Sequence, residues 1–473
     1  MKAVKNIKYI IPIIIILLSI YINKYNGFTF DSLIFSLIYS EGSDTSVFID
    51  GIKYILFYLI ILISLFFLFK YILKKLNKEI KLNKKIILYG AYFISIIILL
   101  FTLKVDEYIY YNLFESNFIK ENYINPKEVN ITFPKEKPNL IYIYLESMEN
   151  SALSKENGGM IYKTYIPELE QLALNNLNFS NTDKLGGMYE VYGANYTTAS
   201  IVAQTSALPL KMPINYIFKS EIKFMPGAYT LGEILEKEGY NNYFMVGSII
   251  EFGGLKDFLS LHGNYKFYDY NWAIKERLIN KDYKQWWGFE DKKLFACAKQ
   301  ELLKISKENK PFNFTMTTLD THFNDGYLDE TCKDNIFEKQ YENVFKCSSN
   351  MLNEFINWIK EQEFYQNTVI ILVGDHNLMA KTILNDKNYD KTIYNVIINS
   401  KQIPTNNKNR LFTAYDMFPT TLAALNIEIE NNKLALGTNL FSNEKTLLEQ
   451  YNLKQINKEL KKQSSFYNEY ILK

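Results

Sequence analysis

The sequence predicts an α/β fold: a mostly parallel sheet flanked by helices, preceded by an N-terminal transmembrane region. Three observations predict it. Thr368–Val373 is an unbroken run of β-branched residues and leucine, with no polar alternation, as in a strand buried on both faces of a parallel sheet. Asn139-Leu-Ile-Tyr-Ile-Tyr-Leu145 reads the same way. Each run ends in a carboxylate, Glu146-Ser147 after the earlier and Gly374-Asp375-His376 after the later. The carboxyl ends of strands in open α/β sheets are where ligands bind. The third observation is that long apolar stretches without charge fill the first hundred residues.

The chain has 473 residues and a mass of 55.6 kDa, enough for a membrane segment and one large domain. Its formal net charge of +2 gives no electrostatic reason to expect a nucleic-acid partner. Tyr9–Ile22, Ile55–Phe69 and Ile86–Leu103 read as membrane spans. Phe28–Tyr39, broken by Asp31, reads as an interfacial or re-entrant stretch. Lys2, Lys5 and Lys8 precede the first span, and Lys70, Lys74, Lys75, Lys78, Lys81, Lys84 and Lys85 crowd the loop before the third. The loop between the first two carries Asp31, Glu41, Asp44 and Asp50 against Lys24 and Lys53. Lysine asymmetry of this kind places the amino terminus in the cytoplasm and everything after Leu103 on the far side. The expected domains are a transmembrane region over 1–104, a juxtamembrane linker over 105–137, a catalytic domain over 138–443 and a helical tail over 444–473. In an oxidising compartment Cys332 and Cys347 can pair, whereas Cys297 lies in a helical pattern and reads as a buried thiol.

Beyond the first strand, Pro167–Asn175 reads as a helix. Gly193 and Asn195 then make a turn, after which Thr197, Thr198, Ala199 and Ser200 open a helix that Pro209 ends. Hydroxyls at a helix start act as caps; alternatively one serves as a nucleophile where backbone amides receive an anionic phosphate. Tyr229–Gly239 reads as a helix and Tyr243–Val246 as a strand. Phe252–Phe258 is a glycine-relaxed loop, and His262 reads as structural. Pro311–Leu319 is a strand whose end is Asp320-Thr321-His322. Two of only three histidines therefore directly follow predicted strands. Met351–Gln362 reads as an amphipathic helix, Tyr394–Asn399 as a strand and Thr413–Leu425, with Pro419 inside it, as a helix. Leu436–Leu440 is expected to return to the sheet.

Taken in order, Leu145-Glu-Ser147, Tyr196-Thr197 with Leu208-Pro-Leu210, Pro226-Gly-Ala228, His262-Gly263, Trp287-Gly288 with Asp291, Leu319-Asp-Thr-His322 with Asp325-Gly-Tyr-Leu328, Asp375-His376 and Asp416-Met-Phe-Pro-Thr420 form a constellation. It resembles the alkaline-phosphatase-like superfamily, in its membrane branch of lipoteichoic acid synthases and phosphoglycerol transferases. It is most similar to the phosphoglycerol transferase I family of the osmoregulated periplasmic glucan pathway. The resemblance implies an alkaline-phosphatase-like sheet and a divalent metal, Mn²⁺ as first choice and Zn²⁺ as second, held by Glu146, Asp375 and His376. It also implies that Thr197 is the nucleophile and touches the metal, with Thr198 as the alternative register. His322 is implied to bind the transferred phosphate or protonate the leaving oxygen. The implied partners are phosphatidylglycerol as donor, a glycan acceptor such as a periplasmic glucan, and the lipid bilayer. The implied location is the bacterial inner membrane with the catalytic domain in the periplasm.

Two departures narrow the reading. Lipoteichoic acid synthases carry a second substrate-binding histidine where this chain has the glycines and Lys256 of Phe252–Phe258. No Cys or Ser followed by x-Pro-x-Arg stands where a sulfatase would form formylglycine. The competing readings are a phosphoethanolamine transferase acting on lipid A or another surface glycan, and a catalytically inactive membrane-anchored binding protein.

Overall fold

The computed structural model describes residues 2–24, 29–39, 46–75, 84–214, 223–285, 287–332 and 336–473. Phe28, Glu41, Asp44, Lys78 and Lys81, used above for the membrane reading, lie outside the described residues. The chain divides into two compact units, Met1–Ile34 with Ser43–Tyr110, and Phe35–Gly42 with Tyr111–Lys473.

In the first unit, helices α1 (Lys2–Ile22), α2 (Ser46–Lys75) and α3 (Lys84–Thr102) cover the three expected spans. Helix α1 packs against both of the others. Lys85–Thr102 is long and apolar enough to cross a bilayer, while Lys8–Ile22 and Gly51–Leu62 are shorter apolar stretches. A short helix occupies Phe30–Ile38, where the interfacial stretch is expected.

The second unit is built on a six-stranded sheet. Its strands are β1 (Asn139–Leu145), β2 (Asn241–Val246), β3 (Lys266–Tyr268), β4 (Phe312–Thr317), β5 (Thr368–Gly374) and β6 (Asn395–Ile398), ordered β3-β2-β4-β1-β5-β6. All neighbours are parallel except β6, which runs antiparallel to β5 at the edge. The two runs without alternation are central neighbours, paired in register from Asn139↔Thr368 to Leu145↔Gly374. Successive side chains of a strand point to opposite faces. Accordingly Leu140, Tyr142, Val369 and Ile371 enter one hydrophobic core, and Ile141, Ile143, Ile370 and Leu372 the other. Because both faces are covered, the strands must be apolar at every position. This same parallel register puts Glu146 and Asp375 side by side past the strand ends.

Helix α4 (Pro167–Asn175) has the predicted bounds. Helix α5 (Thr197–Ser206) starts at the predicted threonine, and α6 (Asp291–Ile305) holds the buried thiol of Cys297. Helix α7 (Gln340–Lys360) starts eleven residues before the predicted Met351, because Tyr341, Val344, Phe345 and Cys347 continue the same buried face. Cys347 on α7 is disulfide-bonded to Cys332.

One expectation is overturned. Leu436–Leu440 does not rejoin the main sheet; Gly437–Thr438 instead pairs with Lys433–Leu434 in a two-stranded hairpin. Asn431, Asn432 and Ala435 all adopt positive φ, and the tight turns fold this segment on itself. The expected helix at Thr413 opens as a 3₁₀ turn (Ala414–Asp416) before the α-helix Met417–Ala424. Pro419 falls in the first turn of that helix, where a missing N–H is tolerated. Strand β3 was missed, being a three-residue edge strand with one exposed position.

In the expected linker, Phe118 and Ile119 are buried in the core, and Ile131–Thr132 pairs with Glu428–Ile429. The expected tail contributes Leu447, Ile456, Leu460 and Ile471 to the same core.

Candidate metal centre

Strand β1 ends at Leu145, and Ser147 adopts a positive φ of 54° that turns the chain sharply. That turn leaves the Glu146 side chain at the carboxyl edge of the sheet, 1% exposed. Its backbone is clamped: the Glu146 N–H donates to Thr318 Oγ1 at 3.0 Å, and the Thr321 hydroxyl donates to the Glu146 carbonyl at 2.6 Å. One strand over, Gly374 lets β5 pass close to Met148, whose carbonyl would lie 2.0 Å from any Cβ at that position. Asp375 Oδ1 then accepts the N–H groups of Ser147 and His376, both at 2.8 Å. Asp375 Oδ2 is buried without a hydrogen-bond partner.

The His376 ring is oriented by its own loop. Nδ1 lies 2.8 Å from the Asn377 carbonyl, an oxygen that can only accept, so Nδ1 carries the proton. Nε2 thereby turns toward Asp375 Oδ2 at 3.4 Å and Glu146 Oε1 at 3.5 Å. Ligand atoms of Glu146, Asp375 and His376 all lie within 4.8 Å of one another.

Two buried carboxylates this close cannot both be charged without compensation. Burial, followed by the neighbouring Glu146 carboxylate, pushes Asp375 up to about 7. Burial opposes charge on His376, but Asp375 and Glu146 outweigh it and hold the imidazole up at about 9. Nε2, an unpartnered carboxylate oxygen and a second carboxylate therefore face one small space, and a cation entering it would displace the Nε2 proton. That donor set fits a divalent cation of hard or borderline character.

Thr197 is the first residue of α5, and its Oγ1 lies 3.3 Å from Glu146 Oε2. The helix is fixed beneath by Ser200, whose hydroxyl donates to the Asp375 carbonyl, and by Gln204, which donates to Ser200 Oγ at 2.8 Å. Thr198 is buried against the loop read as glycine-relaxed; a Cβ on Gly253 would stand 2.6 Å from Thr198 Oγ1. That loop carries its glycines at positive φ, 64° at Gly253 and 68° at Gly254.

His322 stands outside the ligand cluster. Its Nδ1 lies 2.7 Å from the Phe323 carbonyl, and its ring packs on Trp287, with centroids 4.7 Å apart. The preceding Thr321 is the residue that clamps Glu146, so the loop after β4 reaches the cluster through threonine hydroxyls on the Glu146 backbone. Trp286 of the same aromatic motif lies outside the described residues. His262 is structural, as read: Nδ1 is 3.0 Å from Glu233 and Nε2 is 3.0 Å from the Phe224 carbonyl.

Several supporting groups have roles that the sequence does not assign, Asp291 and Asp320 of the motifs above among them. Asp291 accepts the N–H groups of Leu319 and Asp320, while Asp320 accepts the N–H of Asp291. This exchange ties the start of α6 to the end of β4. Burial first, then Asp291, raises Asp320 well above the usual carboxylate range. Glu149 and Glu190 accept the N–H groups of Leu378 and Asn377, each at 2.9 Å. A single sequence offers no signal for these, because any loop acid can cap a free amide.

A mostly parallel α/β sheet with a carboxylate–imidazole cluster at the ends of two adjacent inner strands defines an alkaline-phosphatase-like protein. The sequence model of the sulfatase family matches residues 138–427, and the chain belongs to that family. Curated proteins named phosphoglycerol transferase I, from Escherichia coli O127:H6 and Citrobacter koseri, are each 32% identical to it over 262 residues. Those alignments cover 54% of this chain and 33% of each relative, so the chain matches about one third of their length. The crystal structure of a lipoteichoic acid synthase from Listeria monocytogenes superposes with a TM-score of 0.50 at 18% identity, covering 69% of this chain and 82% of that one.

Proposed function

We propose that the protein is a membrane-anchored, metal-dependent transferase that moves phosphoglycerol from phosphatidylglycerol to a periplasmic glycan and releases diacylglycerol. The observation that carries this reading is Thr197 Oγ1 at 3.3 Å from Glu146, a hydroxyl at a helix start beside a buried three-ligand cluster. The resemblance to proteins named phosphoglycerol transferase I supports the choice of transferred group. A threonine in that place, with no formylglycine motif, supports phosphoryl transfer over sulfate ester hydrolysis.

In this reading Glu146, Asp375 and His376 would hold the cation, with the Thr197 hydroxyl beside Glu146 close enough to join them. A bound divalent ion there supplies Lewis-acid charge, lowering the hydroxyl pKa and offsetting phosphoryl charge. Thr197, its hydroxyl proton already released to solvent, attacks the phosphorus of the donor as the alkoxide and is regenerated in that form at the end of the cycle; a P–O bond to Thr197 forms, and the P–O bond to the diacylglycerol oxygen breaks. His322 gives the leaving oxygen its proton. The acceptor hydroxyl then attacks the phosphothreonine, its proton returns to His322, and Thr197 is regenerated. Dividing the transfer into two displacements lets one site take a lipid donor and then a sugar acceptor. The positive-inside pattern and the apolar Lys85–Thr102 helix support placing this site in the periplasm, on a chain held in the inner membrane.

The test is incubation of the full chain with phosphatidylglycerol labelled in its headgroup and a panel of glycans, followed by mass spectrometry. Phosphoglycerol on a glycan, with diacylglycerol released, is the expected result. Transfer of phosphoethanolamine from phosphatidylethanolamine alone would replace the reading with its nearest competitor.

A further inference from the structure

The loop Asp375–Leu378 carries two of the three ligand residues, and two acids outside the cluster hold it. Glu149 accepts the Leu378 N–H, but it is already neutralised by Lys391 at 2.7 Å. Glu190 is different. It lies on an extended segment fixed by bridges from Met188 to Ile393 and from Tyr189 to Thr413, and its Oε2 accepts the Asn377 N–H at 2.9 Å. Among the described residues no cation lies within ion-pair distance of it. The Asn377 peptide that Glu190 holds by its N–H is next to the carbonyl that takes the His376 Nδ1 proton at 2.8 Å. The rigid segment, the carboxylate, the Asn377 backbone and the imidazole thus form one continuous chain of contacts, ending at Nε2.

We infer that Glu190 is a positioning residue for the metal centre: by holding the Asn377 backbone it fixes the tautomer and the aim of His376. This inference rests on the metal-centre reading above. The partner that orients a ligating imidazole commonly controls metal affinity by ten- to a hundredfold. Here that partner is a backbone carbonyl, so its own orientation has to be held by something else. Glu149 holds the Leu378 N–H of the peptide that carries this carbonyl, and Glu190 holds the Asn377 N–H of the peptide before it, which joins the imidazole's own residue to that carbonyl.

Two conservative variants of the full chain separate positioning from charge. Glu190→Gln keeps an oxygen able to accept from Asn377 but loses the charge. Glu190→Asp keeps the charge but is shorter by one methylene and cannot reach. Mn²⁺ affinity is measured by titration calorimetry on the detergent-solubilised chain, with melting temperature followed in parallel. Glu190→Asp is expected to bind Mn²⁺ about tenfold or more weakly, and Glu190→Gln within about threefold of the unaltered chain, with both melting as it does. Unchanged affinity in both variants would overturn the inference, and so would weakening by Gln with retention by Asp, which would make Glu190 an electrostatic group only. If the unaltered chain itself binds no Mn²⁺, the metal-centre reading fails first, and that result is distinguishable from either.

Discussion

At the scale of single residues, Asp375 divides its two oxygens between two tasks. Oδ1 is spent on the Ser147 and His376 amides, which hold the turn, and Oδ2 is left buried and unpartnered. Asp375→Asn keeps the shape but removes the charge, and His376→Ala removes the imidazole; both variants are expected to lose bound Mn²⁺ as read by elemental analysis. Transfer should stop in chelator and return with added Mn²⁺. Thr197→Ala is expected to abolish transfer while metal content and melting temperature stay near those of the unaltered chain. If Thr198→Ala is instead the inactive variant, the nucleophile is one residue further on. A fourth outcome concerns pH. Glu170 is buried, which works against its charge, yet the Ser154 N–H, the Asn157 amide and the Ser154 hydroxyl hold its carboxyl below the usual range. A depressed pKa stabilises the folded state above the unfolded value and is lost as pH falls through the folded one. Glu170→Gln should therefore cost about 1.5–3 kcal/mol at pH 7, a difference that shrinks as denaturation is repeated below the ordinary value of 4.5.

At the scale of elements, legibility followed burial. Strands β1 and β5 could be read because both faces are covered and every position must be apolar. Helix α5 could be read from its hydroxyl-rich start, and with it the place of Thr197. By contrast, β3 has three residues and one exposed position, and the first half of α7 was hidden by the polar residues around Cys347. The three residues of the candidate metal centre stand out in the sequence because they directly follow buried strands. The groups that hold them could not, since the side chains of Ser200, Thr318, Thr321 and Glu190 bind backbone amides and carbonyls of distant residues, which no sequence pattern announces. The disulfide between Cys332 and Cys347 closes a separation of 15 residues, a loop whose cross-link contributes about 3 kcal/mol in the chain-entropy picture. Replacing both cysteines by serine should lower stability by about that much in chemical denaturation. Tyr341, on the same helix, still donates to the Thr321 carbonyl at 2.7 Å, so the loop after β4 should keep its attachment to α7, and metal affinity should change less than stability does.

For the whole molecule, the parallel register has a consequence in time. Ser147 and Asp375 meet although 228 residues separate them, and the core beneath α5 is completed by Ile456, Leu460 and Ile471. Contacts between such distant parts of a chain form late, after the loop entropy between them has been overcome. While the polypeptide is still emerging, Thr197 and Glu146 are made well before Asp375 and His376, the other half of the cluster. A chain delivered only as far as Thr197 therefore lacks the Asp375–His376 half of the candidate metal centre, and the centre arises in one event, when the strand before Asp375 docks beside the one before Glu146.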